Sequence, residues 1–156
     1  MRNIAFSQKR SNGALVALGE ILAALDMRGL HWLGYRGDVN CFFPWPVDLI
    51  AFMRERESLA LPIEIEMIER IASHPGQCID VTFAGYRDKS DQRPELLFGI
   101  EDNCQWEIHY RDPARIDFAA LEQFSPFVED NPWQLNKDGS VSNIPDFPFL
   151  RFENEE

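Results

Sequence analysis

Cys104 and His109 come closer to a nucleophile and its base than any other pair in this 156-residue chain. Cysteine catalysis requires the imidazole to lie within hydrogen-bond reach of the sulfur, with a third group to orient it. Five positions along an extended strand correspond to roughly 16 Å, which is too far for direct contact. The spacing therefore predicts a turn cysteine and a surface strand histidine, not a catalytic pair.

Glu64, Glu66 and Glu69 offer paired carboxylates, which can act together as acid and base. On a helix, however, Glu66 lies one turn before Arg70 and Glu69 directly precedes it, and this arrangement is typical of a solvated charged face. The chain also lacks the glycine-rich phosphate loop, the dinucleotide loop, the serine elbow and the HExxH zinc motif. The sequence therefore predicts no catalytic residues.

The histidines and cysteines are too scattered to predict a metal site or a disulfide framework, and no C-x-x-C pair is present. An odd number of widely spaced cysteines suits free thiols in a reducing compartment. The residues concerned are His31, His74, His109, Cys41, Cys78 and Cys104. We expect no metal, no cofactor and a cytoplasmic location.

The charge of the chain limits its partners. A formal net charge of −11 and a pI near 4.7 disfavour binding to nucleic acid or to an anionic membrane surface, since both need clustered Lys and Arg. Glu20 interrupts the apolar N-terminal stretch that imitates a secretory signal, and no apolar run approaches the roughly 20 residues of a membrane span. With 45% hydrophobic residues the chain has material for a core.

The elements expected to carry these residues form one α+β domain over residues 1–156. A first helix, capped by Ser11 or Asn12 and ended by Gly29, follows from apolar residues at helical spacing. These are Leu15, Leu18, Ile21, Leu22 and Leu25. Its alanine-rich remaining surface indicates burial in the core or in a homodimer seam, so both a monomer and a homodimer stay open.

Two further helices are predicted at about 47–58 and 63–74, before the sheet. The second places its apolar residues on one face and ends at Pro75-Gly76, and Pro62 either ends the helix before it or opens it. Its inward residues are Ile65, Ile68, Ile71 and Ala72. Between the first helix and these two, the pattern predicts a strand at H-W-L-G-Y, a turn at R-G-D-V and a second strand at N-C-F-F-P-W-P.

A change of period from 3.6 to 2 predicts an antiparallel meander at about 77–111, with one face on the core and one partly exposed. A short helix follows at about 117–124, with Phe118 and Leu121 inward. After Pro126 the pattern becomes irregular, and N-K-D-G-S reads as the turn of a small hairpin. The predicted fold is therefore N-terminal helices packed on an antiparallel sheet, with an irregular C-terminal segment.

Carboxylates alternate with bulky aromatic rings in that last segment. From Asp117 to the C-terminus nine carboxylates are opposed only by Lys137 and Arg151. Negative charge beside large apolar rings suits a surface that captures a basic protein. The residues predicted to bind such a partner are Glu129, Asp130, Trp133, Asp138, Asp146, Phe147 and Phe149.

In these residues and in its overall profile, the chain resembles the immunity proteins of bacterial polymorphic or contact-dependent toxins. Those proteins are often compact acidic α+β domains that plug a basic toxin domain, so the resemblance implies a cytoplasmic inhibitor that acts by occlusion. The chain is less similar to the small acidic chaperones of bacterial secretion systems, which usually dimerise and hold a cargo segment. An enzyme of unrecognised type is the third alternative.

Overall fold

A computed structural model of the chain describes most of its first 124 residues and short stretches beyond them. Side chains are described over these ranges except at 35–38, 80, 101 and from 127 onward. The described residues are 2–38, 48, 51, 61–74, 80–101, 105–124, 127–129, 134–135 and 141–142.

The centre of the fold is a seven-stranded sheet in which every pairing is antiparallel. The strand order is β3-β2-β4-β5-β6-β1-β7, and a separate pair, β8 and β9, runs antiparallel as well. Together with the short helices this confirms the α+β class. The strands are β1 Arg2–Ser7, β2 His31–Asp38, β3 Leu61–Ile63, β4 Asp80–Tyr86, β5 Leu96–Glu101, β6 Gln105–Tyr110, β7 Phe127–Glu129, β8 Gln134–Leu135 and β9 Val141–Ser142.

The prediction that helices come first is wrong, because β1 opens the chain and pairs with both β6 and β7. The helix expected up to Gly29 shrinks to α1, Leu18–Leu22. Ahead of α1 the chain folds back on itself, with Val16 N donating to Gln8 O at 2.8 Å. The sheet, rather than a helical layer, therefore holds the N-terminus.

The sequence S-N-G explains this correction. Gly13 has φ +84°, and Asn12 Oδ1 accepts a hydrogen bond from Ala14 N at 3.0 Å, so residues 11–13 turn the chain. Asn-Gly is a strong turn signal because glycine adopts positive φ without steric cost. Here it outweighs the helical spacing of the leucines, and Leu15 lies in an extended bridge opposite Lys9.

The remaining described helices are short. α2, Ile65–Ala72, confirms the predicted helix at 63–74 and buries Ile68 and Ile71. A further helix, α3, and two 3-10 turns lie between β6 and β7. These elements are the turn Pro113–Arg115, α3 Phe118–Leu121 and the turn Glu122–Phe124.

The region between β2 and α2 also differs from the sequence prediction. Arg36, Gly37 and Asp38, expected in a turn, continue β2 with a shift of register after Tyr35. Pro62 lies inside β3, opposite Leu33 of β2, and neither ends nor opens a helix. The strand expected before Pro46 lies outside the described residues. So does the helix at 47–58, apart from helical backbone at positions 48 and 51.

The predicted meander is confirmed as β4, β5 and β6, and its second face is more buried than predicted. On the first face the helices and strands share one apolar cluster, which includes Ile21, Ile71 and Phe98. On the second face Gln105 and Glu107 are partly exposed as expected, but most of the other described side chains are shielded from water. They include Ala5, Leu33, Thr82, Ala84, Tyr86, Leu97 and His109.

Candidate partner-binding surface

Of the seven residues predicted to bind a partner, only Glu129 lies within the described residues. It ends β7, the strand next to β1, and pairs in register with Asn3. The segment around it is less irregular than predicted, since β7 extends the sheet, and β8 and β9 flank the expected N-K-D-G-S turn. Outside the described residues lie Asp130, Trp133, Asp138, Asp146, Phe147 and Phe149.

The described structure does show an acidic and aromatic surface earlier in the chain, on α3. The side chain of Asp117 caps this helix by accepting a hydrogen bond from Ala120 N at 3.0 Å. The Phe118 ring is 40% exposed, whereas Leu121 is buried in the core. The prediction that Phe118 points inward is therefore wrong.

The Phe118 ring is held on one side by the sheet. It contacts the buried ring of Tyr110 edge to face, with the ring centroids 5.8 Å apart. The helix makes a single turn before it tightens into the 3-10 turn Glu122–Phe124. Phe124 then stacks on Phe6 at 5.1 Å. The inner end of this segment is thus anchored, while Phe118 remains at the outer rim.

Two exposed carboxylates accompany the Phe118 ring. The backbone N–H of Glu122 donates to Phe118 O, so the two residues are one helical turn apart and share a side of the helix. Asp117 directly precedes the ring and is fixed as the helix cap. We name Asp117, Phe118 and Glu122 the α3 surface.

The nearby arginines interact with other groups. Arg115 Nη1 donates to the backbone oxygens of Asp26 and Arg28, at 2.9 and 3.0 Å. Arg111 Nη1 lies 4.0 Å from Glu95 Oε2. Both guanidinium groups thus contact groups other than the carboxylates of Asp117 and Glu122.

Two carboxyl groups outside the α3 surface, Asp26 and Glu107, have lowered pKa values. The Arg28 side chain donates to Asp26 Oδ1 at 2.8 Å and, with the Arg28 backbone N–H, lowers the pKa of Asp26 to about 2. On the second face of the sheet, His109 Nε2 lies 3.0 Å from Glu107 Oε2, and this hydrogen bond lowers the pKa of Glu107. Both carboxylates are thus stabilised in their charged form.

The surroundings of the Glu107–His109 pair suit a role in stability rather than in catalysis. The prediction of a surface position for His109 is wrong, because its side chain is fully buried on β6, with Asn3 of β1 opposite it in register. Cys104 lies outside the described residues. The Oδ1 atom of Asn3 is buried and accepts no hydrogen bond from the described residues. A histidine without solvent access cannot meet a substrate from solution, so we assign the pair no catalytic role.

Sequence reasoning missed the α3 surface because the three-residue spacing of Phe118, Leu121 and Phe124 favours one inward face. The signal that could have indicated this surface was Asp117, a capping residue that places the start of the helix directly before Phe118. A helix of a single turn cannot bury every apolar side chain that it carries.

Comparison with known proteins yields no match to any family model, to any curated protein or to any solved structure. Among the described helices, none has the length and apolar character needed to cross a membrane. Within the same residues no group of three or more His, Cys, Asp and Glu side chains is placed to hold a metal ion.

Proposed function

We propose that this protein is an acidic binding protein that captures and occludes a basic protein partner in the cytoplasm. The observation that carries the proposal is the exposed Phe118 ring beside the carboxylates of Asp117 and Glu122. From the resemblance to immunity proteins we further propose that the partner is a toxin domain and that this protein inhibits it.

The chemistry of the α3 surface suits a cationic partner. Carboxylates accelerate the encounter with a basic surface and orient it, and the net charge of −11 acts in the same direction. Covering the exposed part of the Phe118 ring would contribute about 2 kcal/mol. An arginine or lysine of the partner placed over the ring would add a cation–π attraction.

The contact with Tyr110 makes this surface partly preorganised. A ring already held against the sheet loses less conformational freedom on binding than one on a mobile loop. The residues predicted from the sequence remain part of the proposal as further partner-binding residues. They are Glu129, Asp130, Trp133, Asp138, Asp146, Phe147 and Phe149.

The first test is co-expression of the tagged protein with the product of each adjacent gene, followed by affinity purification and a growth assay. We expect one neighbour to co-purify and to be toxic only when this protein is absent. Phe118→Ala should reduce both recovery and protection. Leu15→Ala is the matched control, because Leu15 is a similarly exposed apolar side chain, at 43%, in the N-terminal turn.

Absence of any complex and of any protection would contradict the proposed function. Equal losses in Phe118→Ala and Leu15→Ala would leave partner binding in place but remove the α3 surface as its location.

A further inference from the structure

A cleft of about 420 Å³ lies at the β3 edge of the sheet, where β2 and β3 meet the start of α2. Trp32 of β2 and Ile63 of β3 pair in register there and are both buried. Trp32 Nε1 donates to Met27 O at 3.2 Å, so the indole is fixed and its polar atom is satisfied. The inner wall of the cleft is therefore apolar and rigid.

The shape of the cleft depends on the close packing behind Trp32. A Cβ atom at Gly85, opposite Trp32 in register, would lie 2.8 Å from the indole carbons Cζ2 and Cη2. The glycine thus leaves the room beside β4 that the indole ring occupies. The volume falls in the range of roughly 300–1,000 Å³ that is typical of small-molecule sites.

The rim of the cleft carries charged groups of both signs. Arg28, His31 and Lys89 line it, and Glu64 supplies one carboxylate. Arg28 is 86% exposed and is oriented by Asp26, whose carboxylate accepts hydrogen bonds from its Nε and Nη2 atoms. Two permanent cations, Arg28 and Lys89, thus lie at the rim of an apolar wall, and the carboxylates of Glu64 and Asp26 belong to the same region.

We propose that this cleft binds a small organic anion with a flat apolar body, of the class of aromatic carboxylates. The aromatic body would lie against Trp32 and Ile63, and the carboxylate would face Lys89 and Arg28. Such a ligand matches both parts of the cleft. The apolar wall provides the hydrophobic contact, and the charged donors of the rim orient the carboxylate. This proposal is independent of the α3 surface.

The test uses three naphthalene probes of one shape that differ in charge at pH 7: 2-naphthoate, 2-naphthalenemethanol and 2-naphthylmethylamine. Affinity is measured by isothermal titration calorimetry, and the site is mapped by amide chemical shifts. We expect saturable binding of 2-naphthoate, with shifts concentrated at residues 27–32, 62–65 and 89, and clearly weaker binding of the amine.

Lys89→Met should weaken 2-naphthoate about fivefold, as for an exposed ion pair. Lys9→Met, at an exposed lysine of the N-terminal turn, is the matched control and should leave the affinity unchanged. The amide spectra of both variants show directly whether each is folded. Equal affinity for the three probes, shifts outside the cleft, or no binding of 2-naphthoate would each overturn the proposal.

Discussion

Glu107 and His109 show how single side chains link the fold to pH. The hydrogen bond from His109 lowers the pKa of Glu107 below its ordinary value of 4.5. A carboxyl group whose pKa is lowered in the folded state stabilises that state above its unfolded pKa. This contribution is lost as the pH falls below 4.5 and passes through the lower folded value.

Glu107→Gln should therefore lower the free energy of unfolding most at neutral pH, with the difference from the wild type shrinking as the pH falls below 4.5. Urea unfolding across this pH range measures the effect. Glu66→Gln, at an exposed position of α2, serves as the control. A difference between Glu107→Gln and wild type that stays constant with pH would refute the linkage.

Gly99 has a purely steric role in the sheet. A Cβ atom at this position would lie 2.5 Å from Val81 O and 2.8 Å from Thr82 Oγ1. Because a backbone carbonyl cannot move aside cheaply, Gly99→Ala should lower the free energy of unfolding by about 1–3 kcal/mol. Denaturant unfolding tests this value.

Gly34→Ala provides the comparison within the same sheet, since its Cβ would meet Ile63 side-chain atoms at 3.4 Å. We expect a change below about 1 kcal/mol there. Equal costs at the two positions would contradict the steric explanation for Gly99.

At the scale of elements, α3 divides its apolar residues between core and surface. Leu121→Ala should lower the free energy of unfolding by about 2–4 kcal/mol, because the side chain is buried. Phe118→Ala should cost less than about 1.5 kcal/mol, since its ring is partly exposed and loses chiefly the contact with Tyr110. Thermal or denaturant unfolding distinguishes the two. A larger cost for Phe118→Ala would place that ring in the core.

The elements that sequence reasoning predicted are those with a strong local period. Ile68 and Ile71 mark α2 by helical spacing, and the alternation in β4 to β6 marks the meander. The prediction of a long first helix was wrong because a local turn at Asn12-Gly13 overrides the helical spacing of the leucines. Pairing partners more than 90 positions apart, such as β1 with β6, leave no local signal.

The candidate surface was harder to predict than the fold. The period of a segment indicates which residues share a side, but the exposure of Phe118 depends on the length of α3 and on the place of Tyr110 behind it. The same holds for the cleft, whose wall joins Trp32 of β2 to Ile63 of β3 and whose rim includes Lys89 from the loop after β4.

For the whole molecule, charge connects the fold to the proposed function. Since the attraction between a net charge of −11 and a basic partner is screened by salt, the complex should weaken as ionic strength rises. Asp117→Ser together with Glu122→Gln removes two charges from the α3 surface and keeps a capping side chain at position 117. Glu66→Gln together with Glu69→Gln removes the same charge from α2 and is the matched control.

The most direct measurement is the dissociation constant of the complex with the co-purifying partner, determined for the wild type and both double variants at about 50 mM and about 300 mM salt. We expect weaker binding and a flatter salt dependence for Asp117→Ser with Glu122→Gln, and near wild-type values for the α2 control. Identical dissociation constants for the two double variants at both salt concentrations would contradict the claim that the α3 surface captures the partner.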